Sequence, residues 1–118
     1  MKKLDYKGRC EKRISPKSNE VCRTYNAIQR SYLDVLDANE EIIEIHCNVP
    51  LIGFKDARNT NKEYSSDFMC KKSNGELMIR ECVYRKYLEK PLSVELLDGS
   101  MEYWKKHGVK DWGIVIDE

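Results

Sequence analysis

No stretch of this sequence is apolar over enough residues to span a bilayer, and no signal peptide is seen at the N-terminus. The expectation is a cytoplasmic chain in a reducing compartment with no membrane partner. Net charge is nearly lacking: 21 Lys and Arg against 20 Asp and Glu leave +1. Contact with nucleic acid would therefore need a local patch, because the overall field is weak. There are no internal repeats and no low-complexity segments. The cysteines Cys10, Cys22, Cys47, Cys70 and Cys82 are odd in number and contain no C-x-x-C pair. With only His46 and His107 as imidazoles, no zinc spacing results. The thiols read as core fillers, and neither histidine reads as catalytic.

What is present is 41% hydrophobic and 35% charged over 118 residues, enough for one domain with a modest core. Residues 1–17 carry Lys2, Lys3, Lys7, Arg9, Lys12, Arg13 and Lys17 and are expected to form a basic, flexible tail. Residues 18–118 are expected to form the domain. Ser18 suits a helix N-cap, and apolar residues at helical spacing from Val21 to Leu36 predict a helix to about Asp37. Glu40 to Asn48 alternates as a strand does, and Pro50 should break it. Leu51–Phe54 is expected as a short second strand, and Asp56–Glu63 as a polar loop. Ser93 is expected to cap a helix running to about His107, weakened at Gly99 and closed by Gly108. A buried strand from Asp111 to Asp117 follows. Trp104 and Trp112 lie on apolar stripes and read as core.

The chain is organised around residues 65–83, which read as two strands and a tight turn, Ser73-Asn74-Gly75. A three-residue loop pairs Lys72 with Glu76 and brings Asp67 opposite Glu81 on one face. A two-residue loop would set Asp67 opposite Cys82 instead. The Ser-Asn-Gly sequence favours the first register, a type I turn closed by a glycine bulge. Two adjacent carboxylates are the usual means of holding an oxygen-preferring divalent cation. Arg80, Arg85, Lys86 and Lys90 cluster just beyond and could contact phosphates. The element order, helix, three strands, strand, helix, strand, argues for an α/β fold with a mixed sheet flanked by helices and a parallel crossover into the last strand.

Three blocks carry a resemblance. They are Gln29-Arg30-Ser31-Tyr32-Leu33-Asp34-Val35-Leu36-Asp37 running into Ile42-Ile43-Glu44-Ile45, then Ser66-Asp67-Phe68, and last Tyr103-Trp104, Gly108-Val109 and Trp112-Gly113-Ile114-Val115. Together they resemble the N-terminal catalytic domain of TnsA-type transposon endonucleases, within the restriction-endonuclease-like P-D...(D/E)-x-K superfamily. The resemblance implies a DNA endonuclease fold from a mobile element or phage, with Mg²⁺ or Mn²⁺ as cofactor. It implies DNA as ligand and a transposase or another nucleic-acid enzyme as protein partner, with a homodimer also in view. Asp67 and Glu81 match the family's metal-binding acids, placed in one pocket beneath the first helix. Gln29 stands where the family has glutamate and Val83 where it has lysine; Lys86 is the nearest stand-in for that lysine. Metal-dependent cleavage is then weak or lost. The alternative is a non-catalytic DNA- or protein-binding accessory or inhibitor on the same fold.

Overall fold

The computed structural model describes residues 10–54 and 64–117. Its elements run β1 (Glu11–Arg13), β2 (Cys22–Thr24), α1 (Ala27–Ala38), β3 (Ile42–Pro50), β4 (Ser65–Lys72), β5 (Leu77–Val83), α2 (Pro91–Lys106) and β6 (Asp111–Ile116). β3, β4 and β5 form an antiparallel meander, and β6 joins parallel to β5 after the α2 crossover. β1 and β2 make a separate two-stranded sheet. The result is a mixed α/β fold, as the alternation of elements led us to expect.

The hairpin has the three-residue register. Lys72 N donates to Glu76 O (2.8 Å) and Gly75 N to Lys72 O (2.9 Å), and the ladder continues through Lys71↔Leu77 to Phe68↔Arg80. Gly75, at φ +92°, supplies the left-handed residue that this loop requires.

Helix α1 begins later than its apolar spacing suggests. Asn26 is the N-cap, its side chain accepting from Gln29 N. The preceding residues 22–24 are extended and pair with β1. The Ser18 cap is thus replaced by an Asn-x-x-Gln start, in which the fourth residue also bonds back toward the chain before the helix. The C-terminal end is held by Lys17, whose Nζ donates to Leu36 O (2.9 Å) and Asn39 O (2.7 Å), a cation at the negative end of the helix dipole. Residues 11–17, expected as flexible tail, are therefore built into the fold, with Ser15 Oγ on Asp37 (2.6 Å). Residues 1–9 lie outside the described residues, as does the 56–63 loop.

Two apolar layers sandwich the sheet. Ile45, Phe68, Cys70 and Met78 pack with Leu33 and Leu36 of α1. Ile79, Met69 and Trp112 pack with Trp104 of α2 and with Leu51 and Phe54. Each buried large side chain contributes about 1.5–3 kcal/mol. α2 starts at Pro91, with Lys90 rather than Ser93 as N-cap, because proline is preorganised for the first helical position. Gly99 is a packing requirement: a Cβ there would lie 2.7 Å from the Phe54 ring. Leu51–Phe54 is a turn rather than a strand, with Phe54 N donating to Leu51 O (3.2 Å). Pro50 ends β3 from within the ladder, opposite Ser65. β6 is an edge strand and only half buried, with Ile114 exposed. All five cysteines are free, Cys10 alone being exposed.

Besides a register shift between Ile42 and Glu44 of β3, the sheet has an irregularity at Asn48. Residues two apart on a strand share a face, yet Cys47 packs in the α1-side layer and Val49 in the α2-side layer. Between them Asn48 has φ +55°, a conformation asparagine tolerates better than most residues. Its ladder neighbour on β4 is Asp67, between Cys47↔Phe68 and Val49↔Ser66. Both strands change face at that step.

Candidate functional site

The face change decides where the acids go. Asp67 would share the α2 side with Glu81 in a regular ladder. Instead its carboxylate accepts from Gln29 Nε2 of helix α1 (Oδ1, 2.6 Å) and from the backbone N of Cys82 (Oδ2, 2.6 Å). Glu81 is enclosed under α2, with 1% of its surface exposed. Its Oε2 accepts from Ser66 Oγ and Ser100 Oγ, both at 2.6 Å, and its Oε1 from Asp67 N at 3.1 Å. The two acids are neighbours across β4 and β5, as the hairpin register requires. They do not share a pocket beneath the first helix: Asp67 is held from α1 and Glu81 from α2. The departure of Asp67 coincides with the left-handed backbone at Asn48 on the neighbouring strand β3.

Each serine is held by an indole. Trp104 Nε1 donates to Ser66 Oγ (2.9 Å) and Trp112 Nε1 to Ser100 Oγ (3.0 Å). An indole N–H can only donate, so each serine is left to point its own proton at Glu81. Three donors thus converge on one carboxyl. Burial and the Asp67 charge act against them and push Glu81 up to about 8, because the charged form is costly away from water. Sequence reasoning missed Ser66 and Ser100. The available signal was Ser100 itself, a hydroxyl at core spacing between Leu97 and Trp104 on the buried stripe of α2.

Gln29 is 2% exposed, and its amide is used at both ends. Besides donating to Asp67, it accepts from Tyr25 N through Oε1 (2.6 Å). Turning the amide over would set its NH₂ against the Tyr25 N–H and its oxygen against the Asp67 carboxylate. Gln29 therefore has no oxygen to offer a cation beside Asp67. At the family's lysine position stands Val83, and among the described residues no three His, Cys, Asp or Glu side chains converge as a metal site needs. These residues, as arranged, do not fit a divalent cation.

The basic cluster separates. Arg80 is committed to β6, with Nη1 2.8 Å from Asp111 Oδ1 and 2.9 Å from Ile79 O; it stacks over Gly113 and is a poor phosphate ligand. Arg85 is tied to Asp117, through its backbone N to Oδ1 (2.6 Å) and Nη2 to the carbonyl (3.1 Å). Lys86 lies over the Tyr87 ring, 5.2 Å from its centroid, and Lys90 occupies the N-cap position of α2 without a capping bond from its side chain. Two clefts of about 260 and 320 Å³ open on the described surface, and neither is lined by Gln29, Asp67 or Glu81.

No protein-family model matches this sequence, and no curated protein matches it significantly. No helix among the described residues is long and apolar enough to cross a membrane.

Proposed function

We propose that this chain is a TnsA-like protein of a mobile element or phage, acting on DNA in the cytoplasm through a restriction-endonuclease-like scaffold, with weak or no cleavage of its own. The observation that supports this reading best is the meeting of Asp67, Glu81 and Gln29 at one step of the sheet. Asp67 and Glu81 stand on neighbouring strands with Gln29 beside Asp67, which supports the reading in part; the single pocket beneath the first helix that the resemblance implies is not formed, because Asp67 is held from α1 and Glu81 from α2. The chemistry of the centre is reduced: Gln29 brings no charge, Val83 no proton donor, and Glu81 is closed in. Those features favour an accessory role, in which Lys86 and Lys90 contact the phosphate backbone and a transposase or similar enzyme, or a second copy, completes the assembly.

A plasmid-nicking assay with Mg²⁺ and with Mn²⁺, run beside salt-dependent DNA binding, tests this. Nicking by the wild type that Asp67→Ala abolishes would establish residual catalysis. Binding without nicking, falling with salt and with Lys86→Ala/Lys90→Ala, supports the accessory role. A chain that neither binds nor cuts DNA would sink the DNA reading and leave a protein-binding or inhibitor module.

A further inference from the structure

Strand β6 is an open edge of the sheet, and the opposite edge is not. The outer side of β3 is covered by the chain before α1: Ile45 N donates to Lys17 O (2.9 Å) and Asn48 Nδ2 to Arg23 O (2.8 Å). Among the described residues no strand pairs with the outer side of β6, which leaves a row of unpaired N–H and C=O groups. Its ladder with β5 runs unbroken from Met78↔Asp111 to Val83↔Ile116. Between those ends it carries no proline, no bulge and no lysine, the usual devices that keep an edge strand single. The acids at its two ends are engaged within the chain, Asp111 by Lys72 and Arg80 and Asp117 by Arg85.

The surface beside this edge is apolar. Ile114 is level with Glu81 across the β5–β6 ladder, on the α2 side, and is 41% exposed. On α2, Leu96 and Tyr103 belong to the layer with Leu51 and Phe54, while Leu97, Ser100 and Trp104 are buried against the sheet. Helical spacing puts Val94 and Met101 on the remaining flank, toward β6, and both are exposed.

We propose that β6 pairs antiparallel with β6 of a second copy of this chain, about a two-fold axis at Gly113, and so joins two sheets into one. Symmetry limits the register. Opposed residues of an antiparallel pair share a face, and side chains alternate along a strand. A strand paired with itself about a two-fold axis must therefore set one residue against its own copy. With Ile114 on the axis, Asp111 would oppose Asp117 twice, a like-charge pairing. Axes at Trp112 or Val115 shorten the overlap. With Gly113 on the axis, Asp111 faces Val115 and Trp112 faces Ile114, each twice, and the second is an aromatic–β-branched pair. Gly113 brings no side chain to the axis; only the Arg80 guanidinium lies over it, held by its own Asp111. Val94 and Met101 of both copies then line one apolar face over the joint. The inference names where the second copy of the proposed assembly joins, and it holds equally for a chain that binds no DNA.

Sedimentation equilibrium of the full chain, from micromolar to millimolar, tests the joint. The wild type should pass from monomer to dimer. Ile114→Lys sets a charge opposite Trp112 of the copy and should weaken association by about tenfold or more, with the melting temperature of the dilute monomer unchanged. Ile43→Lys, at a similarly exposed isoleucine on the covered edge strand, should leave the dimer intact. Ile114→Cys in a Cys10→Ser background should form no bridge to its copy, because the two positions are offset along the strands beyond disulfide reach. A wild type that stays monomeric throughout overturns the inference, as does a dimer that Ile114→Lys leaves intact; ready bridging of Ile114→Cys overturns the Gly113 axis. DNA binding is measured separately, so a dimer that binds no DNA would sink the DNA reading alone, and a DNA-binding monomer would sink this inference alone.

Discussion

Raising the pH should loosen this protein through one side chain. The Glu81 carboxyl is lifted from its ordinary 4.5 to about 8 by burial and by the neighbouring Asp67 charge. In the unfolded chain it ionises near its ordinary value. Between about pH 4.5 and 8 the folded state holds a proton that the unfolded state has released, so stability falls as pH rises through that window. Below it both states are protonated and the full benefit is present; above it both are ionised and the loss is complete. At about 1.4 kcal/mol per pH unit the loss has an upper bound on the order of 5 kcal/mol, a large share of a small domain's stability. The assay is urea unfolding of wild type and Glu81→Gln at intervals across the window. Glutamine cannot titrate, but its NH₂ must face either the Asp67 N–H or the two serine hydroxyls. It should therefore cost about 1–3 kcal/mol at every pH. The wild type should be the more stable protein at about pH 5, and the difference should shrink or reverse by about pH 8. Parallel curves across the window would refute the reasoning and show that the three donors hold Glu81 ionised throughout.

Two further substitutions probe the packing around that carboxyl. Ser100→Ala removes a donor from Glu81 and the acceptor of Trp112 Nε1. It should destabilise the protein by about 2 kcal/mol in denaturant unfolding, with a change in tryptophan fluorescence of the folded state. Gly99→Ala would gain up to about 1 kcal/mol of helix propensity, but its methyl meets the Phe54 ring. A net loss of about 1–2 kcal/mol is expected from the overpacking, and a stabilised variant would show that the Phe54 turn yields freely.

The hairpin was legible because its register depends on local chemistry alone: Ser73-Asn74-Gly75 admits few loops, and Gly75 fixes the bulge. β6 and the end of α2 near His107 were legible for the same reason, through β-branched residues and a glycine after the last basic turn. The start of α1 was not. Val21, Cys22 and Tyr25 keep helical spacing, yet Cys22–Thr24 pairs with β1, a tertiary contact that overrides a weak local preference. Pro91 likewise outranked Ser93 as the start of α2. The central expectation of the site was half legible. Strand register brought Asp67 across from Glu81, but alternation alone could not reveal that Asp67 leaves the α2 side and is held from α1. Nor could spacing show that Arg80 would be taken up by Asp111, 31 residues away.

The thiols offer a practical handle. Burial pushes the Cys70 thiol up to about 12 and raises Cys47 and Cys82 as well, so these three are poor nucleophiles in the native state, and Cys22 is buried out of reach. Cys10, exposed just before the first strand, is left as a natural single attachment point. A maleimide dye placed there would report on the docking of the N-terminal hairpin without any engineered residue, and the remaining sulfurs would take up label only as the sheet comes apart.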